Sequence, residues 1–300
     1  MVYIIPNPLK GVFQNCKPKA KPSARALRPP GREVRNILLL LAVLLFTFPM
    51  QAGADTPPFV LVIDPGHGGK AAGAVGKKGK EKDINLAVSK LLRQYIYEAH
   101  PDVAIIMTRD RDVNVDLDER ADMANKANAN LFISIHANSV ARRRSSSHIN
   151  GSEVYTFGLS RNEENLEVAK RENSVILLEE NYEQKYEGFD PNSSESYIIF
   201  EFMQNKFVEQ SVDFATMVQR QLVETAHRKD LGVKQAEFLV LRKSTMPRVL
   251  VELDFISNPE AEQFMLSKEG QEVLARSICN AFTEYKTAFD RTTERKNSKR

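Results

Sequence analysis

The stretch that decides the fold is Val60–Lys70, "VLVIDPGHGGK". A short apolar run, rich in β-branched residues, leads into Asp64, Pro65 and a glycine-rich turn that carries His67. Such a run, bounded by turn residues, is typical of a strand buried on both faces. The pattern therefore predicts a buried strand whose carboxyl end presents an imidazole.

Similar apolar runs recur along the chain and alternate with helical patterns. We predict strands over residues 59–63, 103–108, 131–135, 153–157, 237–241 and 248–253. Apolar residues at helical spacing lie between them, for example Ile84, Val88 and Leu92. This alternation indicates an α/β fold with a mainly parallel, roughly six-stranded sheet and helices on both faces.

The N-terminal region has the order of a secretory signal, in which basic residues precede an apolar run and then small residues. We predict a disordered basic segment over 1–36 and a signal-peptide apolar region with its cleavage site over 37–54. The protein is then exported to the periplasm or cell envelope. The apolar run is shorter than the ~20 residues of a spanning helix, and a permanent membrane anchor is the alternative.

We predict that the rest of the chain forms a single catalytic domain over 58–288, which one irregular segment interrupts. Residues 160–207 are acidic and partly irregular, and a segment of that length inside a domain is often functional. We interpret it as an insertion. The last residues, 289–300, are basic and are predicted to form a disordered tail.

The distribution of charge excludes a nucleic-acid-binding protein. Residues 1–54 hold eight of the 42 Lys and Arg residues but only one of the 39 Asp and Glu residues. The remaining body is mildly acidic and has no field that would hold a polyanion.

Residues that could bind a metal or transfer a proton lie where the predicted strands end. His67, His136 and Glu252 follow or end three strands, and Glu81 opens the helix after the glycine-rich loop. The carboxyl ends of parallel strands meet at one rim of a sheet. Singly, each residue has an ordinary interpretation, such as a hydrogen-bonded structural histidine or an acid favoured at a helix start. Together they suit a zinc site with an open fourth position.

A zinc site of this kind supports hydrolysis. The bound ion lowers the pKa of water from about 15.7 toward 7. A carboxylate outside the ligand set can accept the proton of that water and deliver it to a leaving amine, which typically contributes ~10²–10⁴-fold.

A nucleotide site is the rival interpretation of the glycine-rich turn. Residues 66–71 fit the G-x-G-x-x-G/A dinucleotide fingerprint. That motif requires a helix to begin at the glycines, so that its amide groups meet the phosphates. Here the next helical pattern begins near Lys82, and no Walker A motif is present. We therefore expect no nucleotide.

Five blocks of the chain resemble, in order, the zinc-dependent N-acetylmuramoyl-L-alanine amidases of the bacterial cell envelope. They are "VLVIDPGHGG", "GKEKDINLAVSKLL", "MTRDRDVNVDLDERADMANKANANLFISIHANS", "NGSEVYTFG" and "GVKQAEFLVLRKSTMPRVLVELDFISNPEAE", between about Val60 and Tyr285. The resemblance implies one Zn²⁺ per chain, with His67, Glu81 and His136 as ligands. It also implies Glu252 as the catalytic carboxylate and Asn138 as a substrate contact.

The activity implied by this resemblance is hydrolysis of the amide between N-acetylmuramic acid and L-alanine in the peptidoglycan stem peptide. The expected role is cell-wall turnover or daughter-cell separation. One departure stands near the site, because Asp254 replaces the glycine usual in the family. The alternatives are a non-catalytic cell-wall binding protein and another exported zinc hydrolase.

The insertion also resembles a segment of the family. In some relatives a helical insertion covers the zinc until an activator protein displaces it, and Asn162–Gln184 is similar to that segment. The hypothesis is that one of its glutamates reaches the open position of the metal; the candidates are Glu167, Glu172, Glu179 and Glu180. The alternative is an ordinary helix with a solvated acidic face.

Overall fold

The computed structural model describes residues 58–140, 148–160, 162–202 and 206–298. The predicted basic segment, apolar region and cleavage site over 1–54 lie outside these residues. Within the described ranges, no helix combines the length and the apolar character needed to cross a membrane.

Six strands form one sheet in the order β2-β1-β3-β6-β4-β5. Their bounds are β1 Val60–Pro65, β2 Ala104–Met107, β3 Leu131–Asn138, β4 Ser152–Phe157, β5 Asp230–Ala236 and β6 Arg248–Phe255. β1 pairs in parallel with β2 and β3, and β3 pairs in parallel with β6. The predicted six-stranded, mainly parallel sheet is thus confirmed.

The direction of β4 departs from a fully parallel sheet. β4 and β5 are parallel to each other, but β4 runs antiparallel to β6. The start of β4 consequently lies at the rim where β1, β3 and β6 end. Glu153, the second residue of β4, is the register partner of Glu252 on β6.

The predicted strand over 237–241 is wrong. The fifth strand precedes it, at Asp230–Ala236, and most of its residues are half-exposed. The apolar run instead forms the short helix α6, Leu239–Arg242, in which Leu239, Val240 and Leu241 are buried. An edge strand needs few apolar residues, because only part of its surface is covered.

Helices cover both faces of the sheet, as predicted. α1 (Glu81–Ala99), α5 (Val208–Glu224) and α8 (Lys268–Asn297) pack with Leu61, Ile63 and their neighbours in one hydrophobic core. α2 (Leu117–Lys126) and α6 pack with Val62 and its neighbours in a second core on the other face. The remaining helix of the C-terminal part is α7, Pro259–Leu266.

The insertion is helical and belongs to the second core. It contains α3 (Glu163–Asn173), a 3₁₀ helix at Ser174–Leu178, the short α4 (Tyr182–Lys185) and a 3₁₀ segment at Ser194–Phe202. Five of its side chains are buried in that core: Ala169, Ile176, Tyr186, Phe189 and Tyr197. The insertion therefore completes the face of the sheet that α2 and α6 cover only in part.

The predicted disordered tail is wrong over most of its length, because α8 continues to Asn297. The ring of Phe289 packs edge-on against Phe59, with centroids 5.0 Å apart. Lys286 bonds Asp290 one turn further on. The basic residues Arg295 and Lys296 lie in the last turn, where the helix dipole favours positive charge.

Candidate metal centre and active site

Two buried arginines fix the turn that carries His67. Arg120 donates to the carbonyl oxygens of Pro65 and His67 at 2.9 and 2.8 Å. Arg109 donates to the carbonyl oxygens of Pro65 and Gly66 at 2.8 and 2.9 Å. His67 has a φ of 60°, a left-handed conformation that is uncommon for a residue with a side chain. These contacts hold the backbone so that the imidazole points into the rim.

The glycine at position 66 permits the closest approach in the site. A β-carbon there would lie 2.2 Å from Nε2 of His136, so the ring would have to move from its place in the site. The turn after β1 and the end of β3 therefore come together only because this residue has no side chain.

Four buried side chains converge at the rim: His67, Glu81, His136 and Glu172. One potential ligand atom from each lies within 4.8 Å of the others. Oε1 of Glu81 is 3.1 Å from Nε2 of His67 and 3.0 Å from Nδ1 of His136. Oε2 of Glu172 is 2.9 and 3.0 Å from the same two nitrogens. The structure thus brings together the three residues expected to bind metal, and adds a fourth.

The chemistry of this donor set fits a zinc ion. Each imidazole nitrogen faces two carboxylate oxygens, yet a ring nitrogen carries only one proton or one lone pair. Burial lowers the pKa of His136, but the Glu172 and Glu81 carboxylates outweigh it and raise the pKa well above 6.5. Ligand atoms in tetrahedral zinc sites lie about 3.3 Å apart, given bonds of about 2.0–2.1 Å. The spacings and the surplus of negative charge both suit a dication.

Glu252 lies beside this cluster without joining it. It is fully buried and is the register partner of His136 on the neighbouring strand. Neither carboxylate oxygen has a hydrogen-bond partner among the described residues. Burial raises the pKa of the Glu252 carboxyl well above its ordinary value, and the Glu172 carboxylate raises it further. A carboxyl group in this environment is suited to accept and return a proton.

Glu172 reaches the cluster because α3 is anchored at both ends. Near its start, Asn165 donates from Nδ2 to the carbonyl oxygen of Gln235 at 3.3 Å, and Asn162 caps the helix by accepting from the backbone N–H of Asn165. At its end, Asn173 donates to the carbonyl oxygen of Glu237 and accepts from the N–H of Leu239, both at 2.8 Å. Arg171 and Glu172 precede this anchor directly and are held over the rim.

The other three candidate glutamates of the insertion do not enter the cluster. Glu167 has a side chain that is 62% exposed and pairs with Lys170 on the same helix. Glu180 is exposed. Glu179 is buried but faces the start of α2, where it accepts from the N–H of Leu117 at 3.0 Å. Of the four candidate glutamates, Glu172 is therefore the one that the structure places in the cluster.

Asn138 lies next to the cluster, with its amide held in one orientation. Its Nδ2 donates to Glu153 at 3.2 Å. Its Oδ1 accepts from the N–H of Ser139 and from Nη2 of Arg171, both at 2.7 Å. Asn138 therefore presents an acceptor, not a donor, to the open side of the rim.

Sequence reasoning missed two of these neighbours, Arg171 and Glu153. A parallel β4 would have placed Glu153 at the opposite rim, and nothing in the sequence signals that β4 is reversed. Arg171 did carry a signal, because it adjoins Glu172 on the helix that resembles the covering segment. Asp254, whose effect was open, is buried and accepts from the N–H groups of Gly151 and Phe255 at 2.8 and 2.7 Å.

Comparison with known proteins identifies one family. The family model described as N-acetylmuramoyl-L-alanine amidase matches residues 61–284. The N-acetylmuramoyl-L-alanine amidase AmiC of Escherichia coli O6:H1 is 34% identical over 79% of this chain and 55% of its own length. AmiA of Escherichia coli K12 is 29% identical over 77% of each chain. This chain thus spans about half of AmiC and about three quarters of AmiA.

The solved structures agree with this result. The N-acetylmuramoyl-L-alanine amidase AmiC2 of Nostoc punctiforme superposes with a TM-score of 0.56 at 29% identity, covering 77% of this chain and 99% of that chain. The catalytic domain of CwlV, an N-acetylmuramoyl-L-alanine amidase of Paenibacillus polymyxa, gives a TM-score of 0.55 at 28% identity, covering 76% and 97%.

Proposed function

The chain belongs to the N-acetylmuramoyl-L-alanine amidases, hydrolases of peptidoglycan turnover, and from that premise we propose its substrate bond and site residues. It hydrolyses the amide between N-acetylmuramic acid and the first L-alanine of the stem peptide. The observation that carries this proposal is the buried cluster of two imidazoles and a carboxylate with a second carboxylate, Glu252, beside it.

In this proposal His67, Glu81 and His136 hold one Zn²⁺ per chain. When bound, the ion supplies Lewis acidity and lowers the pKa of a water molecule toward about 7. Glu252 accepts the proton of the attacking water and delivers it to the nitrogen of the departing amine. The buried position of Glu252 excludes bulk water, which would otherwise compete for that proton.

The insertion holds the resting enzyme closed. Glu172 lies at hydrogen-bond distance from both metal-binding imidazoles, where the attacking water and the substrate carbonyl oxygen would have to enter. Activity then requires displacement of the end of α3, for which we propose an activator protein. Export through a signal peptide over 37–54 is part of the same proposal, since peptidoglycan lies outside the cell membrane.

Product analysis on purified peptidoglycan tests this function, using the Glu172→Ala chain so that the insertion does not mask activity. We expect soluble stem peptides with a free L-alanine amino terminus. Trimmed stems would instead identify a carboxypeptidase, and released acetate a deacetylase. Release of none of these three products, from a chain that contains zinc, would favour a non-catalytic wall-binding protein.

Glu252→Gln in the Glu172→Ala background tests the catalytic role. Glutamine keeps the shape of the side chain but cannot take up the proton, so turnover should fall by at least ~10². Zinc content should stay near one per chain, because Glu252 is not among the ligands. Near-normal turnover at full zinc content would remove Glu252 from the mechanism. In contrast, His67→Ala should lose the metal.

A further inference from the structure

The residue before Glu172 also occupies the site. Nη1 of Arg171 donates to the carbonyl oxygen of Ser139 at 2.7 Å, and Nη2 donates to Oδ1 of Asn138 at 2.7 Å. The same Nη2 lies 3.9 Å from Oε1 of Glu252. The last turn of α3 therefore places the Glu172 carboxylate against the metal-binding imidazoles and the Arg171 guanidinium beside the catalytic carboxylate.

The atoms around the Arg171 guanidinium are all hydrogen-bond acceptors. Besides Oε1 of Glu172 on the same helix, which accepts from Nε at 3.1 Å, two are the carbonyl oxygen of Ser139 and the carboxylate of Glu252. The third, Oδ1 of Asn138, is fixed as an acceptor because Nδ2 of the same amide donates to Glu153. Glu153 is itself held by Tyr155 and Lys234 at 2.6 and 2.8 Å. An acceptor pocket built in this way selects a ligand that carries N–H donors and positive charge.

The products of the proposed reaction carry the same two charges. Hydrolysis of the amide leaves a carboxylate on the muramic acid side and an amine on L-alanine. An α-amino group has a pKa of about 7.7–8.0 and is mostly protonated at neutral pH. The amine leaves from the side on which Glu252 returns the proton, which is the side that Arg171 occupies.

We infer that Asn138, Ser139 and Glu252 form the subsite for the amino group of the released L-alanine, and that Arg171 and Glu172 close the enzyme by standing in for its two products. This inference rests on the proposed function and adds to it the place where the leaving group binds. It makes Asn138 a leaving-group contact and Glu153 a positioning residue, which fixes the Asn138 amide.

Arg171→Met in the full chain tests the subsite, because it vacates the acceptor pocket. The substitution removes the 3.1 Å hydrogen bond from Nε of Arg171 to Oε1 of Glu172, but it leaves the contacts of Glu172 Oε2 with both imidazoles. The probes are a stem peptide with a free amino-terminal L-alanine and the same peptide N-acetylated, with binding measured by calorimetry. We expect the free-amine peptide to bind at least about tenfold more tightly, the equivalent of one charge-assisted hydrogen bond. The unmodified chain should bind neither peptide. Equal binding of the two peptides to Arg171→Met would overturn the inference.

Repeating the measurement after chelation separates the acceptor pocket from the metal. A preference for the free amine that survives chelation belongs to the protein side chains. A preference that disappears with the metal would mean that the amine binds the ion, and the inference would be wrong.

Substitutions in the Arg171→Met background locate the contact. Asn138→Ala should abolish the preference, and Glu153→Gln should reduce it, because Asn138 is then free to turn its amide. Thr156→Val is the matched control on the same strand, since the buried Thr156 hydroxyl has no hydrogen-bond partner in the described part of the chain. An undiminished preference in a folded Asn138→Ala protein would overturn the assignment.

The two proposals fail in different ways. If Glu172→Ala releases stem peptides but Arg171→Met shows no preference for the free amine, the subsite is wrong and the amidase function stands. If Glu172→Ala with full zinc content releases no stem peptide, the proposed function itself is wrong.

Discussion

At the scale of single residues, buried charged groups dominate the rim of the sheet where β1, β3 and β6 end. Some of them repel each other and others attract. Glu81, Glu172 and Glu252 are all buried within one small region, with His67 and His136 between them. Like carboxylates at this spacing are tolerated only when a cation or a proton compensates them. The residues expected at the metal could be named from the sequence because each ends a strand or opens a helix at one rim. The choice of Glu172 among four glutamates needed the structure.

Removing the Glu172 carboxylate should activate the enzyme. Glu172→Ala clears the position between the imidazoles, so the fraction of molecules able to bind substrate rises, and with it the apparent affinity. We expect peptide release from peptidoglycan to increase at least ~10-fold relative to the unmodified chain. Glu167→Ala, on the exposed face of the same helix, is the control and should change nothing. Equal rates for the two variants would contradict closure by Glu172.

The pair of Asp64 and Arg120 should make the fold sensitive to acid. Burial alone would raise the pKa of Asp64, but Arg120, Thr108 and Ser134 outweigh it and hold the pKa below 3.8. The folded protein thus binds this proton less readily than the unfolded chain. The carboxylate therefore stabilises the fold above pH ~4, and this contribution is lost as the pH falls further.

Asp64→Asn tests this contribution by urea unfolding at pH 7 and pH 3. At pH 7 the variant should lose about 3–5 kcal/mol, because Arg120 is left as a buried charge without its partner. At pH 3 the difference from the unmodified chain should shrink. The exposed Asp83→Asn serves as control. A difference that is the same at both pH values would exclude ionisation of Asp64 as the cause.

At the scale of elements, the ends of strands could be predicted better than their directions. Apolar β-branched runs located β1, β3 and β6 to within a few residues, because these strands are buried on both faces. β5 lies at the edge and is mostly half-exposed, so its pattern did not predict a strand. The reversal of β4 left no local trace, since alternation and burial look the same in both directions. This reversal hid Glu153 from sequence analysis.

The final turns of α8 provide an element-scale prediction. Phe289 is half-buried against Phe59, so its removal should cost about 2 kcal/mol, roughly half the cost of a fully buried phenylalanine. Chemical unfolding of Phe289→Ala measures this loss. Arg291→Ala, exposed on the same helix, should stay within about 0.5 kcal/mol of the unmodified protein. Equal stability of the two variants would mean that α8 frays before Phe289.

At the scale of the whole molecule, the sheet separates two hydrophobic cores, and the insertion belongs to one of them. The sequence indicated a helical insertion but not that it forms part of the core. Its length and acidic composition favoured a peripheral element, whereas its scattered aromatic residues are the ones that pack. Under the proposed function, one segment therefore both closes the site and completes the fold.

Deletion of residues 162–205 should consequently destabilise the protein rather than simply activate it. Each large buried side chain of the insertion contributes about 2 kcal/mol, and several together approach the total stability of a domain, about 5–15 kcal/mol. Thermal unfolding and binding of a hydrophobic dye would measure the loss. A deletion protein that unfolds at the normal temperature would show that the second core is complete without the insertion.

A neighbouring pair of point variants provides the matched comparison. Ile176→Ala removes a fully buried side chain and should cost about 2–5 kcal/mol. Leu177, the next residue, is 43% exposed, so Leu177→Ala should cost much less. Similar losses for both would place the 3₁₀ helix outside the core.

The length of α3 has a consequence of its own. The helix has 11 residues and rises by about 16 Å over its length, with Glu172 next to its last residue. Adding or removing one residue upstream of Glu172 would rotate that carboxylate by about 100° without altering any chemical group. Under the proposed function, a change of one residue in spacing would therefore be enough to release the site from closure by Glu172.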